Sequence, residues 1–341
     1  MNTHHTNSSF CSIRTTIQAT IVLLAAGGAG GGVAYGSAPT ALMSAVFGAT
    51  APKTLVVASH SNPGFLNAAA TLNAPRCIVI YQSLGETGGK YNETKLRTSV
   101  LTYVPADYTG YALLDFEGHW LKYLDSEPGT PTFATGETAL KRVVEVARDA
   151  RPAAKWSVYG LPALRYFSRD AKGATVGWHR TTPAFKETAF AKGARCAGVV
   201  ALCDWVAPSV YDPYLDIRSK ECRPAQIAYT TMKTELAVQL AKGKPVLPVI
   251  WHRVHDSNKV DGLTLLSDDE FISGQVRPAL AAGAAGVIWW GADSYSVRVG
   301  SLQARQPAEF SGIPLDRVDL LQEAVLAEHM RRLRVLSLNF G

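Results

Sequence analysis

Between Thr15 and Pro52 the sequence has no charged residue at all. The stretch "IQATIVLLAAGGAGGGVAYGSA" inside it, preceded by Arg14, has a short apolar core followed by small residues. That pattern predicts a secretory signal peptide over residues 1–37, cut near Gly36 to Ala38. An uncleaved N-terminal anchor is the alternative, although the apolar part is short and glycine-rich for a spanning helix. Residues 38–53 are expected to be a flexible spacer, and the rest to lie outside the cell, in the periplasm or on the surface. No stable membrane insertion is expected once the signal is removed.

Other absences narrow the function. There is no run or stripe of Lys and Arg. The 34 basic residues exceed the 28 acidic ones by six, and they are scattered. Such a balance lacks the electrostatic footprint of nucleic-acid binding, and it is compatible with an acidic polysaccharide. Only five cysteines occur, none in a CxxC pair, so neither a zinc nor a redox motif is present. Cys11 would leave with the signal. The other four allow three disulfide pairings, but Cys77 and Cys203 lie in apolar runs that suit buried thiols. The glycines of "YQSLGETGGKYNE" lack nucleotide-binding spacing. "WHRVHD" holds His252, His255 and Asp256, histidines read as substrate-facing or structural rather than as metal ligands. No cofactor or metal is expected.

What is present is a repeated alternation. Continuous apolar segments at Arg76–Tyr81, Gly110–Glu117, Lys155–Gly160, Asp204–Tyr211, Pro245–Trp251 and Gly286–Gly291 read as strands buried on both faces. Thr54–Ser59 adds another. Helical patterns lie between them. "ETALKRVVEVARDA" aligns Leu140, Val143, Val144 and Ala147, "PAQIAYTTMKTELAVQLAKG" stops at Gly243 and Pro245, and "SDDEFISGQVRPALAAG" starts with Ser267 and early acids. A last helix is expected over Leu315–Leu338. Strand, helix, strand in this order predicts α/β architecture, a distorted TIM-like (β/α) barrel of about seven or eight parallel strands forming one domain over residues 54–341. Polar and aromatic residues gather at the C-terminal ends of most strands, where such a barrel has its mouth.

One strand end combines two acids. In "LLDFEGHW" the alternation points Leu113, Asp115 and Glu117 one way and Ala112, Leu114 and Phe116 the other. The second set is apolar and suits packing against helices. The first ends in two carboxylates with Cα atoms about 6–7 Å apart. In a partly desolvated cleft such a pair titrates together and leaves one acid protonated near neutrality, the division of labour used in glycoside hydrolysis. An N-cap or an ion pair with Lys122 is the plainer role for either acid. Aromatics stand at other strand ends: Tyr159, Tyr211, Trp251, and Trp289 with Trp290. Such rings stack on sugars, but alternation allows only one of Trp289 and Trp290 to face inward, so the other packs under helices.

Together these motifs resemble the hyaluronidases of glycoside hydrolase family 56. "LLDFEGHW", "VYGLP", "WVAPSVY", "PVLPVIWHRVHD" and "ALAAGAAGVIWWG" are similar to that family's motifs in the same order, from Arg76 to Gly291. The resemblance implies a glycosidase that hydrolyses β-linked N-acetylhexosamine polysaccharide, hyaluronan-like or chondroitin-like, with retention. It implies Glu117 as proton donor and later base. Asp115 would hold the substrate's acetamido N–H, while the acetamido oxygen attacks the anomeric carbon. Tyr211 would bond the same group, and Tyr159, Trp290, Trp251, Tyr81 and Trp120 would form the substrate-binding set. The sequence departs from the family in having two residues, Gly118 and His119, between Glu117 and Trp120, and Ala163 where the family has an acid. Basic residues Arg165, Arg169, Lys172, His252 and Arg253 are candidates for meeting a uronic acid, or are solvated loop charges. The alternatives are a non-catalytic carbohydrate-binding barrel and a chitinase-like barrel, whose motif carries further aspartates that "YALLDFE" lacks.

Overall fold

The structure, a computed structural model, describes residues 53–58, 74–162, 168–169, 175–176, 183–212, 222–255, 266–291, 331 and 338–339. The chain divides into Met1–Thr50 and Ala51–Gly341, and the architecture below belongs to the second unit. The expected signal peptide, most of the spacer and most of the expected last helix lie outside the described residues.

The second unit is mixed α/β, and its main strands run parallel. They are β1 (Lys53–Ala58), β2 (Ile78–Tyr81), β3 (Tyr111–Asp115), β4 (Lys155–Val158), β5 (Val249–Trp251), β6 (Gly286–Trp290) and β7 (Leu338–Asn339). One sheet has the order β7-β1-β6-β5 and another β2-β3-β4. The stretch Asp204–Tyr211, expected as a strand, instead joins the two sheets by single bridges, Tyr159 to Ala207, Val206 to Val246 and Ser209 to Val249. Prolines at 208, 245 and 248 explain the irregularity, since a proline has no N–H to donate to a ladder. Each still accepts: Val249, Val206 and Ile288 donate to the carbonyls of Pro208, Pro245 and Pro248 at 2.8–2.9 Å.

Helices cover one face of these strands. Glu93–Tyr103 (α1) starts at Asn92, whose side chain accepts from Lys95 N at 2.9 Å. His119–Leu124 (α2) follows β3 directly, and Pro131–Ala150 (α3) has Thr130 as its N-cap and Pro131 in the first turn. Arg142 of α3 reaches Glu93 of α1 at 2.7 Å. Beyond β4 come Pro183–Ala194 (α4), Ala197–Val200 (α5) and Cys222–Ala241 (α6). Before β6, Asp268–Phe271 (α7) runs into a π-turn at Ile272–Val276 and then Arg277–Ala281 (α8).

Parity along the strands sorts the core. Ala112 and Leu114 of β3, and Phe116 just after it, pack with Leu140, Val143 and Val144 of α3 in a cluster between strands and helices. Burial of side chains of this size stabilises by roughly 1.5–3 kcal/mol each. Leu113 faces the other way, into a cluster with Val79, Tyr159, Trp205, Tyr211, Trp251 and Ile288 to which, among the described residues, no helix contributes. Cys77 and Cys203 are buried thiols without a disulfide. Among the described residues no helix is long and apolar enough to cross a membrane.

Candidate functional site

The strand-lined cluster ends, at the C-terminal ends of its strands, in the residues that the sequence singles out. Asp115 is the last residue of β3 and is half-buried; Glu117 lies two residues on and is exposed. The Oδ1 atom of Asp115 is buried and has no hydrogen-bond partner among the described residues. Burial, reinforced by the charge of Glu117, pushes the Asp115 carboxyl up to about 7. The two acids therefore form one coupled pair that keeps a proton to near neutrality.

Tyr81 pairs in register with Asp115 across β2 and β3. Burial, and then the charge of Asp115, raises its phenol above the usual range, so it is a neutral donor and acceptor. Its ring meets the edge of Trp290 at 6.3 Å. On the far side, Trp290 pairs in register with Trp251. Trp251 lies 5.4 Å from Tyr211, and Tyr211 lies 6.1 Å from Tyr159 between ring centroids. The Tyr159 hydroxyl donates to Ser209 Oγ at 2.9 Å. His255 stacks on Tyr211 at 5.8 Å and meets the edge of Trp251 at 6.3 Å. The structure thus brings Asp115, Tyr81, Tyr159, Tyr211, Trp251 and Trp290 around one strand-lined core. Trp289 points to the helices and packs on Phe271 at 5.3 Å.

Some expectations are corrected. Trp120 does not join the aromatic group. Its ring is buried among Phe116, Leu124 and Phe133, because a turn at Gly118 and the start of α2 rotate it toward the helices. His252 and Arg253 are not solvated loop cations; both are fully buried. Parity turns His252 toward the helices, where its Nδ1 accepts from Trp289 Nε1 at 3.0 Å. Arg165, Lys172 and Ala163 lie outside the described residues, and only the backbone of Arg169 is described, in the short strand Ser168–Arg169.

Other functional neighbours escaped the sequence reading. Two buried glutamines support the aromatics. Gln275, in the π-turn, accepts from Trp251 N at 3.0 Å and donates to Trp251 O at 2.8 Å. Gln226, on α6, donates to Val210 O at 2.8 Å. The signal was visible only as two polar residues inside apolar helical faces. Lys233, also on α6, is buried and donates to the Tyr229 hydroxyl at 3.0 Å. Burial pushes its ammonium down to about 7, against the opposing pull of Cys196 and Glu117.

The opposite end of the strands has a groove of about 400 Å³ lined by Tyr111, Arg148, Lys155, Asp204 and Trp205. Its charges serve the fold, since Arg148 pairs with Asp204 at 3.0 Å and Asp204 accepts from Trp156 N at 2.8 Å. Among the described residues no three His, Cys, Asp or Glu side chains are placed to hold a metal.

Two crystal structures of bee venom hyaluronidase, one in complex with a hyaluronic acid tetramer, superpose with TM-scores of 0.51 and 0.52. Identity is 16% and 15%, and each match covers 71% of this chain and 92% of that chain. A family 18 chitinase from Pseudoalteromonas aurantia, at 13% identity, 71% of this chain and 95% of its own, reaches a TM-score of only 0.36, too low to argue from. No protein-family model and no curated protein matches the sequence. The chain therefore shares the fold of bee venom hyaluronidase, a likeness of backbone rather than of sequence.

Proposed function

We propose that the chain is an exported glycosidase of closed β/α-barrel form that cleaves β-linked N-acetylhexosamine polysaccharide by a substrate-assisted, retaining route. The observation that carries this reading is the coupled pair Asp115 and Glu117 at the end of β3, beside a row of inward-facing aromatics. Closure of the barrel is supported by a core drawn from the strands of both sheets and from the bridged segment Asp204–Tyr211 between them. The hyaluronic acid tetramer bound by the bee venom protein supports an amino-sugar polymer as the class of substrate.

In this mechanism Glu117 gives its proton to the glycosidic oxygen as the bond from C1 to that oxygen breaks. The acetamido oxygen of the same sugar forms the new bond to C1, giving a cyclic cation. Asp115, as the anion, accepts the acetamido N–H and offsets the positive charge, and the Tyr211 hydroxyl bonds the same group. Glu117 then removes a proton from water, which opens the ring with net retention. Tyr81, Trp290, Trp251 and Tyr159 offer faces and hydroxyls for the sugar rings.

The reaction needs one proton on the pair. In the free protein that proton rests on Asp115, which burial and the charge of Glu117 raise to about 7; the mechanism uses it once it has passed to Glu117 with substrate bound, and the pair loses it as pH rises through that value. kcat/KM is then expected to fall about tenfold per pH unit above the midpoint. The deciding experiment incubates the protein with hyaluronan, chondroitin, chitin oligosaccharides and bacterial cell-wall glycan and measures new reducing ends. Glu117→Gln should lose on the order of 100-fold or more in rate. Binding of any of these glycans without cleavage would instead favour a carbohydrate-binding barrel, and an undiminished Glu117→Gln rate would remove Glu117 from the mechanism.

A further inference from the structure

The segment "GETGGKY" folds as a tight hairpin, Glu86–Thr87 against Lys90–Tyr91. Gly88 and Gly89 at its tip have φ of 58° and 72°, the left-handed pair that a two-residue hairpin turn requires. The hairpin is tied to α1. Asn92 N donates to Gly85 O at 2.9 Å, and Lys95 Nζ donates to Glu86 O at 2.7 Å.

The Glu86 side chain points from this anchored base to the turn after Glu117. Its Oε1 accepts from the indole N–H of Trp120 and lies 3.8 Å from His119 Nε2. Its Oε2 accepts from Gln82 Nε2 at 2.9 Å, and the Gln82 amide lies against Gly118. The carboxylate is only 10% exposed, which strengthens such bonds over those in water. Trp120 in turn donates its backbone N–H to Glu117 O at 3.2 Å. Between them Gly118 sits at φ 59°, ψ −123°, a conformation that side-chain-bearing residues rarely adopt. Glu117 itself lies two residues past the last ladder residue of β3.

From this arrangement we infer that Glu86 is a positioning residue for Glu117: by clamping Trp120, beside His119, it fixes the turn that aims the Glu117 carboxyl. The inference rests on the proposed role of Glu117 as proton donor. Glu86 touches no substrate in this scheme. It acts through the turn, which holds the residue additional to the spacing of the resembled family.

The test uses two substrates of the same chain length, an oligosaccharide with a sugar leaving group and its 4-nitrophenyl glycoside. Proton donation matters for the first and little for the second, whose leaving group departs as an anion. Glu86→Ala should lower kcat/KM by about 10- to 100-fold on the oligosaccharide, with KM little changed, and by less than about threefold on the aryl glycoside. Glu86→Gln, which keeps an oxygen acceptor for the indole, should restore most of the rate. Trp120→Phe, which keeps the ring and removes the donor, should reproduce the leaving-group-dependent loss, and it decides the matter if Glu86→Ala does not fold. Equal losses on both substrates, or none on either, overturn the inference. Glu117→Gln is the control. If it shows the leaving-group dependence and the Glu86 and Trp120 variants do not, only the inference fails. If Glu117→Gln shows none, the proposed function fails first.

Discussion

The two acids and the aromatic row are held by different means. Asp115 ends a regular parallel ladder: β2, β3 and β4 pair residue for residue from Ile78 with Ala112 through Leu114 with Val158. Tyr211 stands on backbone that proline has interrupted, joined by single bridges and completed by the amide of Gln226; Trp251 pairs in register with Trp290 at the end of a short ladder, and the amide of Gln275 completes its N–H and C=O. Backbone pairing fixes both the height and the facing of a side chain, because a slip of one residue would turn Asp115 to the helices. The irregular half trades that rigidity for the freedom to tilt its rings, and relies on side chains to satisfy the backbone.

Substitutions can break this contrast, beginning with the largest effect. Asp115→Asn should reduce turnover by on the order of 100-fold, read as kcat on the substrate that the wild type cleaves. Gln275→Leu leaves the N–H and C=O of Trp251 without their buried partner, at a cost of about 2–4 kcal/mol in denaturant unfolding. It should raise KM more than it lowers kcat, because it disturbs rings rather than acids. Gln226→Leu removes the bonds to Val210 O at 2.8 Å and Thr230 Oγ1 at 3.1 Å and should cost about 1–2 kcal/mol. The smallest effect sharpens the comparison from the other side. Asp115 has its carboxyl raised, so the fold favours its protonated form, and its contribution to stability is full below about pH 4 and is lost as pH rises through about 7. Asp115→Asn should therefore stabilise the protein at pH 8 by about 1–2 kcal/mol, less than the full shift implies because the residue at the strand end keeps some contact with solvent. In thermal melts the gain should vanish near pH 4.

The ladder half was legible in the sequence, and the patched half only partly so. The alternation in "YALLDFE" was enough to separate Leu113 from Ala112, Leu114 and Phe116, because period-two parity survives any local twist. It also required Trp289 and Trp290 to part company, although which faces inward depends on the register with β5. Trp120 was not legible, since the positive φ of Gly118 breaks parity just after Glu117. "WHRVHD" leaves His252 open between a substrate-facing and a structural role and gives no sign that Arg253 is buried, because the surroundings of both come from chain far away, as with Trp289 at His252. The helix α1 carries little signal in the sequence because only Leu96 and Val100 give it buried apolar contacts, and Glu86 carries none because a two-glycine hairpin has no apolar period.

The π-turn at Ile272–Val276 has a genetic corollary. Such a turn is an ordinary α-helix with one residue inserted, so excision of one codon within it would restore a regular spiral while swinging Gln275 by about 100° around the axis. The helix would survive the excision, yet Trp251 would lose both of its amide contacts at once. A one-residue gap here between otherwise alike chains would mark lineages that hold this tryptophan differently.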